Sequence, residues 1–499
     1  MSMLTTVATL RATQTGRAHP LTTVRHQHLD AKPFVLVPLT LAGEACAPLA
    51  ALAGTDPQRP TLLTVRQPRD RTMRFRFVEE LGALLLPYIE DCRAEAETYT
   101  AGRGKEAEER ERALHAPQLL VPNGEGIAYL RLLGRLTRLR ATEGPHAVHP
   151  DVPTLGKWLT WFADQAEFPG SSTTLAVSRV LTAHWATGQS SAEDSHLAAV
   201  VAWIDPPEGR SGADAARETE DPLVWPPAGP ATDPGFDGIL HDLFARYTET
   251  EGRVRERVGE RIDQALLGQL RPTWDLIWHG VGLARNLPEG ERVAARWTLD
   301  RQLFTDYAAY LDEHGHPQGR RDRAVGAARR LARLENAVAR YEAERAYDDP
   351  LVMAQYELTG EAFSGTVVAR EEDRFVPGAR SPLWRPTITV HTDRPARLST
   401  GTKVTSPARS GQSAEIIEVT PHDGTDLVVL QLKGGFARKQ KPPAPPGTIA
   451  TVGETVTYTV LDLGTIMAKL PAEEDTPWTH GGPRKPYEPT DEDAEEEWE

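Results

Sequence analysis

Gln412-Ser-Ala-Glu-Ile-Ile-Glu-Val-Thr-Pro-His-Asp-Gly-Thr-Asp-Leu-Val-Val-Leu-Gln-Leu-Lys-Gly-Gly-Phe-Ala-Arg-Lys-Gln-Lys441 is the stretch whose reading decides the fold. Two apolar runs, 412–420 and 427–432, flank Pro421-His-Asp-Gly424, a turn-forming sequence. The pattern reads as a β-hairpin. Working outward, 356–370, 387–391 and 455–461 are further short apolar strands. Strands this short and evenly spaced point to a small β-barrel.

Upstream of the barrel the chain is mostly helical. Residues 320–345 carry Val325, Ala328, Leu331, Leu334, Val338 and Tyr341 at intervals of three or four, one apolar stripe. With the helix at 291–313 it is expected to form a coiled-coil hairpin, a stalk leading into the barrel. Residues 236–354 are therefore read as a helical domain with its stalk, and 355–465 as the barrel. Before them, 205–235 is rich in Pro and Gly and reads as an exposed linker. Residues 114–204 read as another helical domain, whose Trp158, Trp161, Trp185 and Trp203 are expected to pack in its core. Residues 1–113 read as a mixed α/β domain. Within it 34–39, 62–65 and 72–78 are expected strands, 79–94 a helix, and the charged 95–113 a solvated helix or connector. The fold class is thus multidomain α+β: a mixed N-terminal region, two mainly helical domains, a small C-terminal barrel on a helical stalk, and a disordered acidic tail over 466–499.

Composition agrees with several domains. A chain of 499 residues exceeds one ordinary core. With 39% hydrophobic and 25% charged residues it suits a soluble globular protein. The apolar runs 34–36 and 81–89 are short of the ~20 residues that span a bilayer. The first residues lack the charged and apolar blocks of a signal peptide. Cys46 and Cys92, the two cysteines, cannot build a disulfide framework, so a cytoplasmic setting is expected.

Charge is unevenly placed. The net is −15, yet residues 471–499 hold eleven acids and two bases, while 376–470 hold eleven bases and seven acids. A basic barrel followed by an acidic tail is expected to meet its partners through local charge. Lys433, Arg438, Lys439 and Lys441 surround Phe436, with Arg385, Lys403 and Arg409 extending the patch. Bases that neutralise phosphates around an aromatic that stacks a base suit single-stranded nucleic acid. Gly434 and Gly435 would let backbone approach such a ligand. Trp498, set among acids, reads as an anchor for a protein partner.

Signals for chemistry are few. His314-Gly-His316 and His26-Gln-His28 have metal-ligand residue types but lack the three or four ligands a site needs. Glu415, Glu418 and Gln431-Leu-Lys433 sit on paired strands in the manner of a metal-dependent nuclease hairpin, with Gln where the second acid belongs. No nucleotide-binding Gly-Lys loop occurs. No cofactor, metal site or catalytic residue is assigned.

In element order alone, 290–465 resembles the accessory region of superfamily 1 helicases, where a barrel on stalk helices sits beside the motor. That resemblance implies a partner: a helicase-like ATPase encoded elsewhere. The sequence therefore favours a non-enzymatic adaptor of a nucleic-acid-handling complex, in defence or repair. The alternatives are a metal-dependent nuclease and a protein-binding scaffold without nucleic-acid contact.

Overall fold

The structure, a computed structural model, describes residues 3–41, 43–44, 47–102, 107–222, 225–226, 231–319, 322–379, 381–437, 442–465, 467–480 and 482–483. After α1 (Met3–Thr15) and β1 (His19–Pro20) come β2 (Phe34–Thr40), β3 (Pro48–Gly54) and β4 (Thr61–Thr64). Then follow α2 (Arg71–Arg93), a hairpin of β5 (Ala96–Ala101) and β6 (Glu108–Ala113), β7 (Leu119–Val121), α3 (Gly124–Thr137), α4 (Asp151–Gln165), β8 (Thr174–Ala176), α5 (Val177–His184) and β9 (Trp185–Ala186). β9 pairs with β1.

Five of these strands make one sheet, ordered β4-β3-β2-β7-β8. β2, β7 and β8 run parallel, while β3 and β4 are antiparallel. Side chains alternate between two buried faces, as a strand's period of two requires. Phe34, Leu36, Ala51, Leu119 and Val121 enter one core with α2, α3 and α4. Val35, Val37, Leu52, Leu120 and Leu175 enter the other. That second core is covered by α5, α6 (Leu197–Ile204), α8 (Pro234–Glu249) and α9 (Gly252–Arg285), with α7 (Gly212–Glu218) between α6 and α8.

This overturns the expected mixed region followed by two separate helical domains. Strands from 34–64 and from 119–176 share a sheet, and α9 covers one face of it while α10 (Val293–Asp312) packs into the other. A buried sheet needs helices on both faces, and no single stretch of this chain supplies both. The Pro/Gly-rich 205–235 carries α7, whose Ala216 is buried against Trp203.

Two local expectations are also corrected. Residues 72–78 begin α2, capped by Asp70, whose side chain accepts from the Met73 amide. Their alternation gives way to the helical set Phe77, Leu81, Leu85 and Ile89, all buried. Within the charged 95–113, β5 and β6 form an open two-stranded ribbon, held by Glu97–Arg112 at 2.6 Å and Arg301–Glu97 at 3.0 Å. Helices α3 and α4 cross through glycine. A Cβ on Gly156 would lie 2.4 Å from the Arg138 amide nitrogen, so no larger residue fits.

After α10 the chain forms α11 (Ala324–Asp348) and α12 (Pro350–Thr359). It then passes through β10 (Ala362–Glu371), the small pair β11 (Phe375–Val376) and β12 (Leu383–Trp384), β13 (Thr387–Thr392), β14 (Lys403–Thr405), β15 (Ser413–His422), β16 (Thr425–Gly434) and β17 (Thr455–Thr459). Six strands close on themselves in the order β10-β13-β16-β15-β14-β17. The seam is thin, since β14 meets β17 through the single pair Thr405↔Thr459. The Tyr347 hydroxyl of α11 buttresses it, 2.7 Å from both Thr405 Oγ1 and the Leu461 carbonyl. The coiled-coil hairpin does not form. Two positions of the stripe stay open, Leu331 57% and Val338 41% exposed, while Val325 is buried.

Candidate functional site at the joint of body and barrel

Phe436, the expected stacking residue, is fully buried. Its ring lies edge-on to Trp384 with centroids 5.1 Å apart, inside the barrel core. No face remains for a base. Gly435 has φ +75, and a Cβ there would lie 2.2 Å from the Gly411 carbonyl oxygen. The glycines thus close the barrel end on itself. Lys433 pairs with Glu415 at 2.9 Å, and Arg409 bonds Glu454 and the Gly447 carbonyl. Arg385 donates to the Trp384 carbonyl at 3.0 Å. Exposed Lys403 lies across the ladder from Glu415. Arg438, Lys439 and Lys441, and the partner anchor Trp498, lie outside the described residues. The nuclease hairpin loses its geometry too: Glu415 is committed to Lys433, and the described residues hold no cluster of three metal-ligating groups. Among them, no helix is long and apolar enough to cross a membrane.

The structure gathers instead a set of residues that sequence reading left scattered. The extended segment 21–30 threads between α5, α10 and the α11–α12 corner. His26 is 1% exposed and stacks on His184 at 5.8 Å, and its Nε2 lies 3.7 Å from Asp349 Oδ2, too far for a hydrogen bond. Burial holds His26 below its ordinary value and pushes His184 down to about 4. Burial opposes the Asp349 carboxylate, yet hydrogen bonds from the Thr23, Val24 and Leu351 amides hold it at about 2. His28, beyond a bend at Gln27, stacks on Trp297 at 4.3 Å. Residues two apart would share one side of a regular strand, but the chain bends at Gln27, which sends the His26 ring to α5 and the His28 ring to α10.

Arg296 of α10 reaches across to Glu344 of α11 at 2.7 Å, and its other terminal nitrogen donates to the His26 carbonyl at 2.6 Å. Arg340 holds the second Glu344 oxygen at 2.8 Å. Arg292 binds Asp348 at 2.6 Å, and Arg25 binds Glu289 at 2.5 Å. Arg296–Glu344 and Arg292–Asp348 join α10 to α11 through charge, and Arg25–Glu289 ties the 21–30 segment to the chain just before α10. The Arg296–Glu344 pair, buried on both sides, is costly to desolvate and costlier to break.

Above this floor, α10 and α11 diverge and leave a groove of about 450 Å³. Leu299 and Leu303 form one wall, and Arg333, Ala337 and Arg340 the other. Leu299 is 48% and Leu303 46% exposed. Tyr310, 44% exposed, continues the α10 row three turns on from Leu299. The turn 168–171 closes the base. Gly170 has φ +89, and a Cβ there would lie 2.9 Å from Arg296 Cδ and 3.0 Å from Tyr341. No position in this groove stood out in the sequence as a site. The signal that was present, an apolar stripe on 320–345 beside many arginines, read as a coiled-coil seam.

Asp300 sits in the groove floor, 4% exposed, and accepts from the Ser172 amide at 2.7 Å. Burial pushes its carboxyl up to about 7. Because the folded value exceeds the unfolded one, its contribution to stability is full below about pH 4 and is lost as pH rises through 7. Asp300→Asn removes that penalty and keeps an acceptor for Ser172. The variant is expected to gain stability over the parent at pH 8, with an upper limit of about 4 kcal/mol, and nearly nothing at pH 4. Urea titrations at the two pH values check this; an equal difference at both would show that Asp300 does not titrate there.

Compared with known proteins, the chain matches no family model, no curated protein and no solved structure. The expectation of a helicase-associated, genome-defence adaptor on single-stranded nucleic acid is thereby corrected. Its stacking residue is core, its described bases are mostly engaged within the barrel, and no relative carries the role.

Proposed function

We propose that this protein is a non-enzymatic scaffold that docks another protein chain in the groove between α10 and α11. One observation carries the reading. Leu299 and Leu303 stand side by side, nearly half exposed, as the wall of a concave site. Isolated exposed leucines are ordinary, but an apolar wall over a rigid floor is the form of an interaction surface. The ion-paired joint beneath it supports the same reading, because it fixes the two helices that form the groove.

Photocrosslinking tests it. A photoreactive residue in place of Leu303 is expected to capture a discrete partner in cells that express the protein. The adduct should vanish when Leu299→Asp is added. The same residue placed at exposed Val452 of the barrel should not give it. Identical adducts from both positions, or none from the groove, would sink the proposal.

A further inference from the structure

We infer that the groove is occupied in the resting protein by the chain's own acidic segment 484–499, with Trp498 as the anchor, so that a partner must displace it. The inference rests on the docking reading of the groove and adds its first occupant. Three observations carry it.

The first is the path of the chain. Beyond the barrel it turns back along the stalk. Thr465 lines the groove, and Glu473 binds Arg323 at 2.9 Å, one residue before α11 begins. Residue 483 therefore follows a chain already laid along this helix.

The second is reach. From Arg323 to Arg333 is ten helical residues, about 15 Å. Fifteen extended residues, from 483 to 498, span up to roughly 50 Å. The segment can return to the groove with slack.

The third is charge and shape. Residues 323–340 carry five arginines and one acid, Glu335. Among the described residues Arg329 and Arg333 make no ion pair, and Arg333 lines the groove. The segment 484–499 carries eight acids and two bases, with Trp498 flanked by Glu497 and Glu499. An apolar wall beside unpaired arginines fits an aromatic anchor among acids.

The affinities this requires are modest. A segment on a short tether acts at an effective concentration on the order of millimolar. A peptide that binds at about 10 μM in trans would then occupy the groove in cis by roughly a hundredfold.

The test uses a fluorescein-labelled peptide of residues 484–499, titrated by anisotropy with the chain ending at 483 and with the full chain. Saturable binding to the shortened chain is expected, weakened about tenfold by Trp498→Ala in the peptide and by Arg333→Glu in the protein. Raised salt should weaken it as well. The full chain should bind the peptide far more weakly, because its own copy holds the groove. No saturable binding, binding indifferent to Trp498→Ala, or equal binding by both chains would each overturn the inference. The peptide variant leaves the protein's folding untouched, so a misfolded Arg333→Glu chain cannot mask the result. If the peptide fails while the Leu303 crosslink persists, self-occupancy is wrong and docking stands. If both fail, docking itself is wrong.

Discussion

Phe436→Ala is expected to destabilise the barrel by about 3–5 kcal/mol. The ring is fully buried, packed edge-on against Trp384 among Ile388, Leu432 and Ile449 in one core. Truncation leaves a cavity in a small barrel whose closing seam is a single residue pair. Hydrogen exchange of β16 and β13 amides should accelerate accordingly, while that of β2 and β7 in the body should stay unchanged. Phe436→Leu should cost far less, because it keeps most of the volume. A loss below 1 kcal/mol for the alanine variant would mean the ring is not in the core, and would reopen a surface role for the loop.

Glu344→Ala should cost as much, about 3–5 kcal/mol, by a different mechanism. Glu344 is 3% exposed and holds Arg296 and Arg340 at once. Removing it strands the buried Arg296 guanidinium, whose Nε has no hydrogen-bond partner even in the parent chain. Replacing both members, Arg296→Met with Glu344→Leu, should recover much of the loss, since no charge is then left alone. Thermal melts of the three variants check the ordering. A double variant no better than Glu344→Ala would show that shape, and not stranded charge, sets the cost.

The contrast between these two residues shows how far residue type alone can be read. Phe436 lies among glycines and bases, and its neighbours in sequence suggested an exposed loop. Its neighbours in space are Trp384 and Leu432, brought there because Gly435 turns the chain inward at φ +75. Glu344 drew no notice at all, since a glutamate on an Arg-rich helix is ordinarily solvated. Only the approach of α10 buries it.

Some features were legible from local pattern. Short apolar runs marked the barrel strands at 387–392, 413–422, 425–434 and 455–459 within a few residues, whereas the run read over 356–370 starts inside α12, and its strand begins only at Ala362. The sixth, Lys403–Thr405, is three residues long, too short for periodicity to register. The tryptophans at 158, 161 and 203 were likewise visible as core, whereas the apolar stripe of α11 was visible as a pattern but left Leu331 and Val338 exposed. The body was not legible. Its strands are buried on both faces and read as uniform apolar runs, so which strand pairs with which has no local signature. The charged ribbon of β5 and β6 is tied to α10 by Arg301, nearly two hundred residues on, which binds Glu97.

The sequence by itself determined most of the barrel strands and the apolar faces of the helices, for these depend on residues a few positions apart. The tertiary structure alone decided that the N-terminal two-thirds share one sheet, that Phe436 lies inside the barrel, and that an ion-paired joint supports an open groove. Each of those depends on groups distant in sequence meeting in space, where burial converts an ordinary charge or ring into a structural element.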